Sequence, residues 1–243
     1  MQFETATLSS AGGRENNQDC CGHLLNGGSG CWVLCDGLGG HRGGEIASKT
    51  AVDAVLESFR SNAAVTPEAL EAHVDRAQRA VVEKQVVDPE LTGMRTTIVL
   101  LAASGAAACW IHAGDSRLYW FRAGKILGQT LDHSVPQRLA DAGEIRPDQI
   151  RFHEDRARLL RSLGAKQDPG AAAGAVPGAP QPGDAFLLAS DGFWEWVLEA
   201  EMETTLACAK HPKQWLELME SQLKQRATAE FDNYSAVAVR CSV

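Results

Sequence analysis

The sequence predicts an α+β fold in which two packed β-sheets are covered by helices. Strand-like runs fall into two groups, one before residue 36 and one from residue 96 to 129, and helical segments accompany each group. Turn-forming Gly, Asn and Ser residues separate the strands within a group. Because neither an internal repeat nor an interdomain linker is evident, residues 1–243 are expected to form one domain.

The N-terminal part begins with strands and continues with helices. Predicted strands cover residues 3–9, 20–25 and 31–35. A helix is predicted from about residue 44 to 59, because small and apolar residues recur there at helical spacing. A second helix begins after Thr66, a favourable N-cap that is followed by Pro67 at the first helical position.

The second strand group is interpreted as two hairpins with turns at Ser104-Gly105 and Ala123-Gly124. The paired strands cover residues 96–102 with 106–112, and 118–122 with 125–129. Three later elements are a strand over 184–190, a helix over 212–226 and a terminal strand over 234–241.

Two segments are interpreted as lying outside the core. The polar segment at about residues 134–164, with one short helix over 135–142, is predicted to be an insertion near the site. Residues 170–183 are rich in Ala, Pro and Gly and are interpreted as a surface connection.

Charge and composition exclude several classes of protein. The net charge of −8 argues against nonspecific nucleic-acid binding and gives no reason for attraction to an anionic membrane. The N-terminus lacks the features of a signal peptide, and the longest apolar region, 97–113, is too broken to span a bilayer. The seven cysteines include no CxxC pair, which favours free thiols over a zinc site. We therefore expect a cytoplasmic protein.

Four aspartates each stand beside Gly, Ser or Asn at one end of an apolar run. They are Asp36, Asp115, Asp191 and Asp232. A single Asp-Gly most often marks a turn. Several carboxylates gathered at strand ends, however, repel one another unless a cation lies between them. A hard divalent metal ion is the simplest reason to gather them.

Two neighbouring segments add to this hypothesis. Three glycines follow Asp36 within four positions, and they let the backbone approach a ligand closely. No Gly-Lys-Ser/Thr follows, so the segment is not a phosphate-binding P-loop. Arg14 carries parallel donors suited to two phosphate oxygens, while surface pairing with Glu15 or Asp19 remains an open alternative.

Six motifs follow one another along the chain: RENNQD at 14–19, DGLGG at 36–40, GDSR at 114–117, DHS at 132–134, SDG at 190–192 and DN at 232–233. In this order they resemble the metal-dependent protein phosphatase family of the protein phosphatase 2C type. The resemblance implies a four-layer αββα sandwich of two antiparallel β-sheets flanked by helix pairs. It also implies that residues 1–243 are a single catalytic domain with a flap insertion at about residues 134–164.

The same resemblance implies a binuclear centre of Mn2+ or Mg2+ ions. Asp36 would bridge both metals, and the Gly37 carbonyl would complete the coordination of one of them. Asp191 and Asp232 would ligate the other metal.

Three more residues would surround that centre by the same resemblance. Asp115 would hold a third, weaker metal together with Asp191. Asp19 would act through a metal-bound water, and Arg14 would bind the substrate phosphate. Thr96 and Thr97 are expected to support the site.

The implied activity is hydrolysis of phosphoserine and phosphothreonine by direct attack of a metal-bridging hydroxide. By the same resemblance, Leu38 stands where many eukaryotic relatives have a histidine, so we expect metal-bound water to protonate the leaving group. His41, three residues later, is interpreted as a loop residue. Cys35 lacks an arginine at the spacing that a cysteine-dependent phosphatase requires.

Three classes of function remain open at this point: an active phosphatase, a weakly active regulatory module that binds phosphoproteins, and another two-metal hydrolase such as a phosphodiesterase. Retention of Arg14 and of the acids favours the first. The resemblance implies phosphorylated proteins as partners, including a bacterial Hanks-type serine/threonine kinase. A subgroup associated with type VI secretion would add a forkhead-associated-domain protein. We expect a monomer.

Overall fold

Two antiparallel β-sheets lie face to face between helices in the computed structural model of the protein, which describes residues 1–39, 43–166, 168–227 and 231–243. This architecture confirms the predicted α+β sandwich. Each sheet mixes strands from distant parts of the chain, so the strand groups of the sequence are not the sheets of the fold.

Within the described residues, one sheet has five strands and pairs the first strand of the chain with the last. In spatial order its strands are β1 (Gln2–Ser10), β11 (Tyr234–Ser242), β10 (Ala185–Ala189), β7 (Arg117–Arg122) and β8 (Lys125–Gln129). β7 and β8 form the predicted hairpin, whose turn has positive φ at Ala123 (50°) and Gly124 (76°). Positive φ at both residues of a two-residue turn matches the right-handed twist of the strands that it joins.

The other sheet has six strands in the part of the chain that the structure describes. In spatial order they are β2 (Asp19–Asn26), β3 (Ser29–Leu38), β5 (Ile98–Ala103), β6 (Ala108–Ala113) and β9 (Ala172–Ala175), with β4 (Arg95–Thr96) paired to the end of β3. The turn of the β5–β6 hairpin lies at Ser104-Gly105, as predicted. It is closed by a hydrogen bond of 2.8 Å from the Ser104 amide to the Ala107 carbonyl.

Helices cover the outer face of each sheet. α1 (Gly43–Ser61) and α2 (Pro67–Val87) cover the second sheet, and the Thr66 side chain caps α2 as predicted by accepting from the Ala69 amide. α5 (Glu199–Cys208) and α6 (Pro212–Arg226) cover the first sheet. Shorter helices are α3 (Val135–Asp141) and α4 (Asp191–Trp194), and 3-10 turns cover Pro89–Leu91 and Pro147–Phe152.

Apolar side chains fill all three interfaces between these layers. Trp32 and Leu101 of one sheet meet Phe186 of the other in the central layer. Phe59 and Leu70 belong to the layer under α1 and α2. Trp215, Met219 and Leu223 of α6 form part of the third layer. Burial of so much apolar surface is the main force that fixes the positions of the strand ends.

Two sequence interpretations are wrong. Residues 170–183 are not only a surface connection, because Ala172–Ala175 forms β9 along the outer edge of β6. Small side chains allow this, since a Cβ on Gly174 would lie 2.5 Å from the Trp110 Nε1 atom. The flap segment is not wholly outside the core either, because Leu163 is fully buried beneath α2.

Helix α5 was not predicted, because its apolar pattern is weak: only Met202, Thr205 and Leu206 are buried. All seven cysteines are free thiols, as predicted, and Cys208 is exposed. No helix in the described parts of the chain combines the length and apolar character needed to cross a membrane.

Candidate metal centre

The four predicted aspartates line one cavity of about 370 Å3 at an edge of the sandwich. Asp36 lies near the end of β3, and Asp115 follows β6. Asp191 begins α4, one residue beyond the end of β10, and Asp232 precedes β11. Gly37, the backbone position predicted to contribute a carbonyl, lines the same cavity. The strand ends therefore bring together side chains that lie far apart in the sequence.

The cavity is strongly unfavourable for negative charge in the absence of a counterion. Burial raises the pKa of Asp36 well above its ordinary value, and neighbouring carboxylates, Asp19 and Asp191 foremost, raise it further. Burial likewise raises the pKa of Asp115 well above its ordinary value, with Asp191 adding to the effect. Burial and then Asp232 raise the pKa of Asp191. Carboxylates that oppose one another's ionisation are the pattern that a cation relieves.

Asp19 is the partner of Asp36 in the pairing of β2 with β3, and it therefore lies beside the cavity. Its Oδ2 atom accepts a hydrogen bond from the Ser190 hydroxyl at 2.8 Å. Its Oδ1 atom is buried and has no hydrogen-bond partner among the described residues. Burial raises the pKa of Asp19 to about 7, and the hydrogen bonds from Ser235 and Ser190 work against that rise.

Backbone amides fix the orientation of two of the acids. The Gly192 amide donates to Asp191 Oδ1 at 2.6 Å, and the Asn233 amide donates to Asp232 Oδ1 at 2.8 Å. Each of these carboxylates thereby has one oxygen held by the backbone, and both side chains line the cavity. Held carboxylates lose little conformational entropy when they bind a ligand.

Thr96 and Thr97 hold the backbone of Asp36, in agreement with their predicted supporting role. The Thr97 hydroxyl accepts from the Asp36 amide at 2.9 Å, and the Thr96 hydroxyl donates to the Asp36 carbonyl at 2.8 Å. The Thr97 hydroxyl also lies 2.7 Å from the Ser116 hydroxyl, and this contact joins the residue before β5 to the residue after Asp115.

Arg14 reaches the edge of the cavity through Asp232. Its Nη2 atom lies 3.0 Å from Asp232 Oδ2, and about half of each side chain is exposed. This pairing differs from the predicted surface alternatives, Glu15 and Asp19. The guanidinium therefore lies beside the acids with N–H donors still available to a second anion.

Several residues of this region carry structural roles that the motifs did not reveal. Asn233 donates from Nδ2 to the Ala11 and Asn16 carbonyls at 2.9 Å, and its Oδ1 accepts from the Gln18 amide at 2.8 Å. It thereby fixes the segment that carries Arg14. The DN motif is the signal that could have suggested this role.

Trp194 fixes the backbone of Asp115. Its Nε1 atom donates to the Asp115 carbonyl at 2.9 Å, and the Arg117 guanidinium stacks on its ring at 3.4 Å from the centroid. Arg117 in turn pairs with Asp132, so the GDSR and DHS motifs meet in one buried network. No spacing rule in the sequence predicts this contact.

Glu195 was also missed, although it follows α4 immediately. Burial and the nearby Asp191 raise its pKa to about 7, and Arg156 of the flap pairs with it at 2.9 Å. Arg158 pairs with Asp155 at 3.2 Å. Two of the flap arginines are thus paired within the protein.

Leu38 lines the cavity and offers no titratable group there. His41, the nearest histidine in the sequence, lies outside the described residues, as does Gly40. The flap residues Ala157 and Leu159 form another part of the wall. The described wall therefore contains carboxylates, amides and apolar groups and no cationic side chain.

The donor set suits hard divalent cations, which bind oxygen ligands. Among the described residues, no three His, Cys, Asp or Glu side chains already stand as a ready-made ligand cluster. Ions such as Mg2+ keep several of their waters, so carboxylates around a cavity of this size can hold them partly through water. The unpartnered Asp19 oxygen and the mutual repulsion of the acids agree with that arrangement.

A family model described as protein phosphatase 2C matches residues 9–231. This chain belongs to the protein phosphatase 2C family. The membership places it among protein serine/threonine phosphatases, and it confirms the family that the six motifs suggest. The match runs from the end of β1 to the residue before Asp232, so most of β1 and all of β11 lie outside it.

Two curated bacterial phosphatases are similar to this chain. The chain is 32% identical over 193 residues to the protein phosphatase PhpP of Streptococcus pneumoniae, which covers 78% of each sequence. It is 30% identical over 203 residues to the serine/threonine protein phosphatase PstP of Mycobacterium tuberculosis, covering 82% of this chain. That match spans only 37% of the length of PstP.

Solved structures of two relatives share the fold. The catalytic domain of PstP in complex with two manganese ions superposes with a TM-score of 0.81 at 27% identity, covering 99% of both chains. PppA, described as a key regulatory component of the type VI secretion system in Pseudomonas aeruginosa, has a TM-score of 0.80 at 29% identity. It covers 99% of this chain and 98% of its own.

Proposed function

We propose that residues 1–243 act as one catalytic domain that removes phosphate from phosphoserine and phosphothreonine in proteins. The observation that carries this proposal is the convergence of Asp36, Asp115, Asp191 and Asp232 on one cavity. The family membership supports the reaction class, and the flap at about residues 134–164 contributes Ala157 and Leu159 to the cavity wall.

The residues that would hold two Mn2+ or Mg2+ ions are Asp36 with the Gly37 carbonyl, and Asp191 with Asp232. Asp115 would hold a third ion together with Asp191. When bound, such ions would lower the pKa of a shared water, supply hydroxide near neutral pH and offset charge on the phosphoryl oxygens. The two manganese ions in the PstP structure support this assignment.

The chain's own groups would orient the substrate and the acids. Arg14 would bind two phosphoryl oxygens through its parallel N–H donors, beside Asp232. Asp19 would act from behind Asp36 through a water that reaches its unpartnered Oδ1 atom. Leu38 cannot transfer a proton, so the proton for the departing serine or threonine oxygen would come from water in the cavity.

The physiological partner would be a protein phosphorylated by a Hanks-type kinase. The likeness to PppA supports a role in type VI secretion. In such a system the kinase and a forkhead-associated-domain protein would be encoded nearby. The arrangement of genes around the coding sequence is the direct check, because a kinase gene should lie nearby. Its absence would count against this partner and would leave the reaction itself untouched.

The reaction is tested with p-nitrophenyl phosphate in the presence of Mn2+. We expect hydrolysis that EDTA abolishes and that Asp191→Asn lowers by about 10³-fold, because several kcal/mol of charge stabilisation are lost. Asp53→Asn on the exposed face of α1 is the matched control and should retain activity. An inactive wild-type protein that still binds phosphopeptide would instead indicate a regulatory module. Faster cleavage of bis-p-nitrophenyl phosphate would indicate a phosphodiesterase.

A further inference from the structure

A second cavity of about 540 Å3 opens where the free edges of the two sheets face each other. Gln129 at the end of β8 and Ala172 to Gly174 of β9 form its sides, and Arg138 of α3 overhangs it. It shares no lining residue with the carboxylate cavity among the described residues. Its volume lies within the range of about 300–1,000 Å3 that is typical of small-molecule sites.

Aromatic and apolar side chains form much of the wall of this edge cavity. Trp110 and the stacked rings of His112 and His133 supply planar surfaces, and the two imidazoles lie 4.6 Å apart at an angle of 7°. Leu131 and Leu160 add apolar surface at the rim while remaining 56% and 50% exposed. An aromatic ring fits such a wall better than a flexible polar chain does, because it buries area with little loss of conformational entropy.

Two arginines give the cavity a positive rim in an otherwise acidic protein. The Arg138 guanidinium has no hydrogen bond or ion pair within the described part of the chain. Arg161 donates to the Gly170 carbonyl and lies 3.5 Å from His133 Nε2, but no described carboxylate pairs with it. Of the two described carboxylates that line the cavity, Asp132 is neutralised by Arg117, and Asp141 accepts a hydrogen bond from the Gln137 side chain while keeping its charge. The two arginines therefore outnumber the one described lining carboxylate that has no cationic partner.

The floor of the cavity is joined to the loop that carries Asp115. The His133 amide donates to the Gly114 carbonyl at 2.8 Å, and the Gly114 amide donates to His133 Nδ1 at 3.3 Å. Asp132, the residue before His133, forms a buried ion pair with Arg117, which lies three residues after Gly114, and this pair holds the other side of the same loop. A shift of His133 would therefore disturb the hydrogen bonds of both the amide and the carbonyl of Gly114.

We propose that the edge cavity binds a small planar aromatic anion, such as an aryl carboxylate, and that its occupancy is transmitted through His133 and Gly114 to Asp115. The ring would lie against Trp110 and the imidazoles, and the carboxylate would face Arg138 and Arg161. Guanidinium groups recognise a carboxylate through two parallel hydrogen bonds. The proposed binding follows from the geometry of the cavity alone, whereas the proposed effect on Asp115 rests on the proposed phosphatase function.

Binding is tested on the full chain by titration calorimetry with 2-naphthoate and with its neutral analogue 2-naphthamide. The carboxylate should bind at least about 10-fold more tightly than the amide, because a hydrogen bond to a charged group contributes more than a neutral one. Arg138→Leu, at an exposed position of α3, should lose that preference. Arg79→Leu, on the exposed face of α2, is the matched control and should keep it.

Equal binding of the two probes, or unchanged affinity of Arg138→Leu for 2-naphthoate, would overturn the site. For the regulatory half, 2-naphthoate should change both the Mn2+ affinity measured by calorimetry and the rate of p-nitrophenyl phosphate hydrolysis, and Arg138→Leu should remove both changes. Saturation with 2-naphthoate that alters neither quantity would overturn the coupling. A chain that binds 2-naphthoate but hydrolyses no phosphate ester under any metal would overturn the phosphatase function and not the binding site.

Discussion

Arg117 and Asp132 form a buried bidentate ion pair, in which Nε and Nη2 each donate to one carboxylate oxygen at 2.8 Å. Their side chains are only 7% and 2% exposed. The pair joins the loop after Asp115 to the beginning of the flap. It is therefore placed to hold the acid and the flap in a fixed relation.

Removing one charge of this pair should destabilise the fold. We expect Asp132→Asn to lower the free energy of unfolding by about 3 kcal/mol, because it leaves the Arg117 charge buried without a full partner. Urea denaturation measures the change. Asp53→Asn removes one partner of the exposed pair with Lys49 and should cost no more than about 0.5 kcal/mol. Equal costs for the two variants would contradict the structural role of the buried pair.

The hydrogen bond from Ser190 to Asp19 should tune metal binding. Ser190→Ala removes the donor at 2.8 Å that favours the ionised carboxylate. We expect the Mn2+ dissociation constant to rise about 10-fold, as is typical when the partner of a ligand-side carboxylate is removed. Calorimetry with Mn2+ is the measurement, and Ser61→Ala on the exposed end of α1 is the control. An unaltered Mn2+ affinity would show that Asp19 does not support metal binding.

Arg14 should affect catalysis far more than stability. Arg14→Ala should lower kcat/KM for a phosphopeptide by about 10²-fold, because one positioned donor to a developing charge contributes that much. Its ion pair with Asp232 is about half exposed, so the free energy of unfolding should change by no more than about 0.5 kcal/mol. Arg14→Lys should restore only part of the activity, since an ammonium lacks the parallel donors. Arg79→Ala is the matched control, and full activity in Arg14→Ala would refute the phosphate-binding role.

His133 should make stability fall in mildly acidic solution. Burial, with His112 and Arg161 nearby, lowers the pKa of His133 to about 4 in the folded protein. An unfolded histidine titrates near about 6.5. Between these values the unfolded chain binds a proton that the folded chain does not, so stability present above about pH 6.5 is lost as the pH falls toward 4.

The predicted size of this effect allows for the partial exposure of His133. Between pH 7.5 and 5.0, wild type should lose about 1 kcal/mol more unfolding free energy than His133→Asn does. Urea denaturation at the two pH values measures the difference. The variant His23→Asn changes an exposed histidine of β2 and should follow the wild type. A His133→Asn variant with the wild-type pH dependence would show that His133 is not the responsible group.

Much of the fold could be predicted because its signals are local. The N-cap Thr66, the Ala123-Gly124 turn and the alternation of strand-like runs each depend on a few adjacent residues. The strand β9 could not be predicted, since Ala and Gly favour strands poorly. It forms because small residues fit against Trp110 and complete the edge of β6.

The sequence by itself determined the family, the sandwich and the identity of the acids, because ordered motifs and strand-end aspartates can be recognised one segment at a time. Only the tertiary structure decided which groups meet. Arg14 pairs with Asp232 across 218 positions, and Ser190 reaches Asp19 across 171. Such contacts depend on how sheets and helices pack around the apolar layers, and that packing is a property of the whole chain rather than of any one segment.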